Sequence, residues 1–224
     1  MTTVARASFR RSLATDPVQV RNRRATAKIP KRSPNFVKLA IQLLLDPAVT
    51  WLEYVESLPL PECNVHVMVG MLVADRDEGR VAFDVIDERP DRDIDEEGLL
   101  LIALQHHQIH IVEMDSASIN EEPRARNSLR IWRHRGRRVE QGLVAAIDRA
   151  LAGEQSLSVR ILGTRVGLSE PLAIVSALIC KGTLDTDLSA KFGLNSLVTR
   201  RWDLGAALTS RSRSAARLFA RKKP

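Results

Sequence analysis

A chain of 224 residues, 44% hydrophobic and 27% charged, has room for one large domain or two small ones, and this composition excludes a collagen-like rod, a coiled coil and wholesale disorder. Two cysteines, Cys63 and Cys180, are too few for a disulfide scaffold or a cysteine-built zinc site, which makes a reducing cytoplasm the expected setting. No apolar run reaches the roughly 20 residues of a membrane helix, and the first residues lack an apolar signal core, so neither membrane insertion nor export is expected.

The net charge of +7 is unevenly divided: residues 1–33 carry +8, residues 34–122 carry −14, residues 123–198 carry +6 and residues 199–224 carry +7. Clustered Lys and Arg neutralise phosphates and release counterions, so this split points to double-stranded DNA as a partner. The plainer reading is a solubilising function, or contact with an acidic partner or membrane surface.

In chain order, residues 1–33 are Arg-rich and without periodicity and read as a disordered basic arm. NFVKLAIQLLLD has apolar residues at Phe36, Leu39, Ala40, Leu43 and Leu44, a helical spacing that Asp46-Pro47 ends. Two Val-rich runs flank DRDEGR and predict a β-hairpin with Gly79 at positive φ. ERPDRDIDEEGLLLIALQHHQ passes from an acidic, Pro-containing loop into a helix with an acidic first turn. IHIVEM follows as a short buried strand, and SASINEEPRARNSLRIWRHRG as a loop and helix. Helix, hairpin, helix, strand, helix predicts an α/β domain over 34–138, its mixed sheet of about four strands flanked by helices.

The composition changes near Gly136. Within 139–203, GLVAAIDRALAG, SLSVRILGTRVG and SEPLAIVSALICKG read as three helices, the last opened by Ser169 with Pro171 in its first turn. TLDTDLSAKFGLNSLVTRRW then reads as a short hairpin. That order is the order of a small winged-helix-like α+β domain, or of a plain helical bundle. A basic tail, 204–224, closes the chain.

Candidate chemistry is sparse. His106 and His110 share a predicted helix at metal-binding spacing, but the Glu of a zincin motif is missing beside them, and a solvated helix end explains them. GTRVG at 163–167 lacks the Lys-Ser/Thr of a phosphate loop. The acids from Asp75 to Glu97 fall mainly in a turn and a loop, where solvated carboxylates are expected, and no Lys occurs between Lys38 and Lys181 to serve two-metal chemistry. Arg133, Arg135, Arg137 and Arg138 crowd the junction of the two units, and Lys181, Lys191, Arg200 and Arg201 flank the predicted second hairpin; together they are the candidate nucleic-acid-binding residues. Trp132 and Trp202 read as core anchors rather than base-stacking platforms.

The helix ending at LLLDPAVTWLEYVESLPL, the hairpin VMVGMLVADRDEGRVAFDVID, the stretch IHIVEMDSASINEEPRARNSLRIWRHR and the helical unit after it resemble the TnsA-like endonuclease subunits of heteromeric transposases, over about residues 35–200. The resemblance implies a restriction-endonuclease-like PD-(D/E)xK fold followed by a winged-helix-like domain. It places the first catalytic Glu near Phe36, the Pro-Asp on Val69-Gly70 and the Glu-x-Lys on Asp84, Val85 and Ile86. Of these only Asp84 keeps a carboxylate, so the resemblance implies a nuclease scaffold with its catalytic positions lost. In a shifted register Asp75 or Asp87 would supply an acid and Arg80 or Arg89 a positive charge.

The expected function is therefore a DNA-binding or assembly protein of transposition type, without catalytic residues, metal or cofactor. Its partners would be duplex DNA and a protein such as a transposase or its ATPase regulator. Two alternatives remain open: an active Mg²⁺-dependent endonuclease centred on Asp84, and a winged-helix transcription regulator.

Overall fold

The computed structural model describes residues 29, 30 and 32–201. Most of the expected basic arm, Trp202 and the whole tail from 204 lie outside the described residues.

Helix α1 (Pro34–Leu45) begins where Ser33 accepts a hydrogen bond from the Phe36 amide at 3.1 Å, with proline at the first helical position. Both features suit a helix start, since the free amides need an acceptor and proline lacks one to satisfy. It ends at Asp46, extended at φ −69°, ψ 122°, as the residue before Pro47 must be. Layers pack on more than one side of α1, so its burial extends past the predicted stripe to Ile41, Leu45 and Gln42. The Gln42 amide is satisfied by the Ile119 carbonyl at 2.7 Å.

Strand β1 (Val49–Leu60) pairs antiparallel with β2 (Val65–Arg76), and β2 pairs antiparallel with β3 (Gly79–Val85). Gly79 sits at φ +122°, the left-handed backbone expected of it in the hairpin turn. Helix α2 (Ile94–His106) then crosses over to β4 (Ile109–Met114), which runs parallel to β3. A parallel neighbour needs such a crossover. The sheet order is β1-β2-β3-β4, so the described residues form an α/β fold with a mixed four-stranded sheet and flanking helices.

Alternation along the strands sends side chains to two apolar layers. Leu52, Leu72, Ala74, Phe83 and Val85 face α1. Val67, Val69, Met71, Val73 and Ala82 face α2, where they meet Leu100, Ala103 and Leu104. The first layer continues without a break into the C-terminal unit through Ile131, Trp132, Val175 and Leu178.

After β4 come a single turn, α3 (Ser116–Ile119), and α4 (Arg124–Trp132). The C-terminal unit consists of α5 (Gln141–Leu151), the two-residue strand β5 (Leu157–Ser158), α6 (Val159–Val166), α7 (Pro171–Cys180), β6 (Leu184–Thr186) and β7 (Leu197–Arg200). Its antiparallel sheet has the order β5-β7-β6. Helix α6 ends at Gly167, φ +70°, a left-handed terminator that suits glycine. A Cβ on Gly163 would lie 2.8 Å from Pro171, so glycine is what allows α6 and α7 to close up. Helix α7 follows Glu170 rather than Ser169, and residues 174–180 are all buried.

One expectation changes here. His106 ends α2 and His110 lies on β4, with Gln108 between them at φ +54°. The pair therefore shares no helix face; His106 meets Glu62 at 3.2 Å instead. Among the described residues no single helix is long and apolar enough to cross a membrane; α6 and α7 together pass only as a pair bent by 106°, and α7 is interior to the fold.

Candidate nucleic-acid interface and an arginine-filled cleft

Strands β2 and β3 stay paired from Arg76 and Gly79 as far as Leu72 and Phe83, then part. A bulge helps to separate them: Val55 faces Met71 and Ser57 faces Met68, leaving Val69 and Gly70 opposite one residue. Gly70 stands at φ +66°, the left-handed conformation such a bulge favours. The cleft at this fork is lined by Val69, Gly70 and Met71 on one wall and Phe83, Asp84 and Val85 on the other, and is closed by Phe36, Arg32, Glu88, Pro90 and Arg92.

Three of the four expected vestigial positions, Phe36, Gly70 and Asp84, thus meet at one place. Ile86 does not. Strand β3 ends at Val85, so Ile86 begins a short turn outside the sheet and is exposed. The shifted-register acids are elsewhere as well: Asp75 pairs with Arg80 at 3.1 Å, and Asp87 accepts the Ser116 amide at 3.1 Å.

Guanidinium groups fill the cleft. Asp84, with a side chain 6% exposed, neighbours Glu113 across the parallel β3–β4 ladder. Arg89 joins them, its Nε donating to Asp84 at 2.7 Å and its Nη2 to Glu113 at 2.6 Å. These bonds, that to Glu113 first and that to Asp84 next, push the Arg89 pKa further upward. On the opposite wall the parting strands leave β2 carbonyls without ladder partners, and such groups need donors. Arg32 donates to Gly70 O at 2.6 Å and Arg92 to Val69 O at 3.2 Å.

This donor set does not fit a divalent cation. Gly70 has no side-chain ligand to offer, its carbonyl accepts from Arg32, and a Cβ there would lie 3.5 Å from Arg32 Nη1. Of the acids there, Asp84 and Glu113 are bridged by the Arg89 guanidinium and Glu88 lies under the pull of Arg32, and among the described residues no group of three or more His, Cys, Asp or Glu is placed to hold a metal. The free volume, ≈ 10 Å³, is about that of one water.

Glu88 closes this cleft with Oε1 buried and without a hydrogen-bond partner. Burial raises its pKa, against the opposing pull of Arg32 and the Phe36 amide. A carboxyl raised in the folded state penalises folding above its folded pKa and is relieved as pH falls below the unfolded value. Glu88→Gln should accordingly stabilise the protein at pH 7, and the gain should disappear below about pH 4, where the unfolded carboxyl is also protonated. Urea midpoints at the two pH values check this.

The second feature is a basic ridge. Helix α4 turns Ala125, Asn127, Ser128, Ile131 and Trp132 inward, which leaves Arg126, Arg130 and Arg133, four and then three residues apart, on its exposed side. The β6–β7 loop lies against this helix. Asn127, 3% exposed, donates to the Leu188 and Ala190 carbonyls at 2.9 and 2.8 Å and accepts the Phe192 amide at 3.0 Å. Arg130 donates to Phe192 O at 3.0 Å. Exposed Lys191 is thereby carried to the ridge.

At the far end of α4, Cys180 Sγ donates to Ile131 O at 3.4 Å, so exposed Lys181 follows α7 at that end. Arg135 lies over the Trp132 ring at 5.3 Å, and Arg137 pairs with Glu170 at 2.5 Å. Arg138 is exposed. Arg200 is half-buried opposite Leu184. Arg201 belongs to another place: it donates to Asp46 O at 2.7 Å and its amide to Thr183 O at 3.2 Å, a staple between β7 and the start of β1.

The ridge residues Arg126 and Arg130 are absent from the sequence-level set, although RARNSLRIWR carries their helical spacing. Arg32, Glu88, Arg92 and Glu113 have no local signal, since loops and separate strands bring them to the cleft. Neither thiol is set up as a nucleophile: Cys180 is buried with its pKa pushed up to about 12, and Cys63 is exposed on a surface turn.

No protein-family model matches this chain, and no curated protein matches it at a significant level.

Proposed function

We propose that this protein is a non-catalytic DNA-binding and assembly protein of transposition type, built on a restriction-endonuclease-like scaffold whose cutting site has been filled by arginine. It docks duplex phosphates on the α4 ridge, while its acidic sheet domain meets a protein partner such as a transposase or its ATPase regulator. The observation that carries the reading is Arg89 bridging Asp84 and Glu113 at 2.7 and 2.6 Å, at the fork where Phe36, Gly70 and Asp84 converge. A positively charged side chain stands where two-metal hydrolysis would need a cation and a lysine.

Two further features support it. Helix, three strands, helix and strand in the sheet order β1-β2-β3-β4 match what the TnsA-like resemblance implies. The C-terminal order of α5, β5, α6, α7, β6 and β7, with its sheet β5-β7-β6, supports reading that unit as winged-helix-like. In such a module the third helix reads the major groove. Here α7 is interior, with residues 174–180 buried, so phosphate contact falls to α4 and its docked loop. That counts against the transcription-regulator alternative.

Fluorescence anisotropy with a random duplex tests the proposal. The triple variant Arg126→Glu, Arg133→Glu, Arg138→Glu should lose affinity on the order of 100-fold, because each phosphate contact removed also removes counterion release. Unchanged affinity would exclude the ridge. Cleavage of plasmid DNA with Mg²⁺ that is lost in Asp84→Ala would support the endonuclease instead.

A further inference from the structure

Helix α2 is apolar on two sides. Leu100, Ala103 and Leu104 pack inward, yet Ile94 is 91% exposed, Leu101 50% and Ile102 54%. Asp91, Asp93 and Asp95 border the N-terminal half of this outer face, all exposed, while the nearest cation, Arg92, is turned inward with a side chain 9% exposed. A helix apolar all round is normally covered all round. What covers this side should be apolar itself, with basic residues beside it.

The C-terminal unit carries a patch of that chemistry. Ile161 on α6 is 46% exposed and Leu197 on β7 59%. Ser158 joins them: it stands opposite Leu197 in the β5–β7 ladder, and its Oγ accepts the Ile161 amide at 3.2 Å. Two exposed cations flank the pair. Arg160 precedes Ile161, and Lys191 is tied in through its carbonyl, which accepts from the hydroxyl of Ser196, the residue before Leu197, at 3.4 Å. Neither cation is in an ion pair among the described residues, and the neighbouring acid, Asp187, is turned to the Ser189 amide and hydroxyl at 2.8 and 2.6 Å.

One molecule cannot bring the two surfaces together. The C-terminal unit is continuous with the α1 layer, whereas α2 covers the opposite side of the sheet. We propose that the occupant of the α2 face is a second copy of this chain, which seats Ile161 and Leu197 on Ile94, Leu101 and Ile102, with Arg160 and Lys191 against the acids around them. Apolar residues meet apolar ones and unpaired cations meet unpaired carboxylates, so charge as well as shape fixes the partner. Two different patches in contact make a heterologous interface, which repeats from copy to copy into a ring or a filament. The contact does not depend on the DNA-binding reading, although Lys191 belongs to both surfaces.

Sedimentation velocity of the full-length chain, freed of nucleic acid, tests this. At about 100 µM protein the weight-average mass should be at least about twice that of the monomer, and about 0.5 M salt should lower it, because charge pairs hold part of the contact. Leu101→Glu with Ile102→Glu breaks the α2 face; Ile161→Glu with Leu197→Glu breaks the other. Each double variant should stay monomeric. An equimolar mixture of the two should form a dimer and grow no further, since each chain keeps one intact face and the two intact faces are complementary. Charge reversal tests the same contact without touching apolar residues: Asp91→Lys with Asp95→Lys should lose self-association and regain it only when mixed with Arg160→Glu, Lys191→Glu. A monomeric parent, a mixture of apolar variants that stays monomeric, or charge variants that do not rescue each other would overturn the proposal. So would parent-like association of the Ile161, Leu197 variant, which would mean that α2 pairs with α2. Because DNA is absent throughout, these outcomes leave the test of the DNA-binding reading separate.

Discussion

Replacing Arg89 with alanine should destabilise the protein by about 2–3 kcal/mol, less than the 3–5 typical of a fully buried pair because Arg89 is partly solvated. The loss arises at Asp84, whose side chain is 6% exposed and would be left beside Glu113 with no counterion between them. A second readout identifies the cause. With the guanidinium gone, two carboxylates on adjacent strands face one opening, so Mn²⁺ should raise the melting temperature of Arg89→Ala while leaving the parent unmoved. Urea denaturation and thermal melts with and without Mn²⁺ measure both effects. A cost below about 0.5 kcal/mol, the level of an exposed pair, would show that the bridge matters little.

Asn127→Ala should cost about 2–4 kcal/mol, since each of its three hydrogen bonds to the β6–β7 loop contributes about 1 kcal/mol and their loss leaves backbone groups unpaired. The bonds to Leu188, Ala190 and Phe192 anchor a loop whose Phe192 is 1% exposed. Asn127→Asp separates the parts. A carboxylate can still accept the Phe192 amide but cannot donate to the two carbonyls, so this variant should be at least as unstable as alanine. Because the loop carries Lys191 to the ridge, both variants should also weaken DNA binding. Denaturant midpoints and anisotropy titrations check the two effects.

Helical spacing and caps made α1, α2 and α4–α7 readable, and a turn with glycine made the β2–β3 hairpin readable. Strand β1 was not, because Pro59 sits in it. Proline is tolerated there because β1 pairs only with β2 and needs no donor on its outer edge. Two-residue β5 has no periodicity to detect. Within the cleft, Gly70 and Asp84 were placed by resemblance, while Arg32, Arg89 and Arg92 reach it from loops that carry no period. The bond from Arg201 to Asp46 was not readable, because a basic residue in a basic segment does not reveal where its side chain turns. The buried α7 could be read as a helix but not as an interior one, since its seven buried residues depend on α4 and α6 arriving from outside it.

The central claim, that this scaffold holds DNA through phosphate contacts, is tested most directly by the salt dependence of binding to a random duplex. Five or so phosphates engaged by the ridge predict a slope of log K against log salt near −4 to −5, so that affinity falls about 300-fold to 1,000-fold between 50 and 200 mM. A slope near zero, or no binding at 50 mM, would contradict the account.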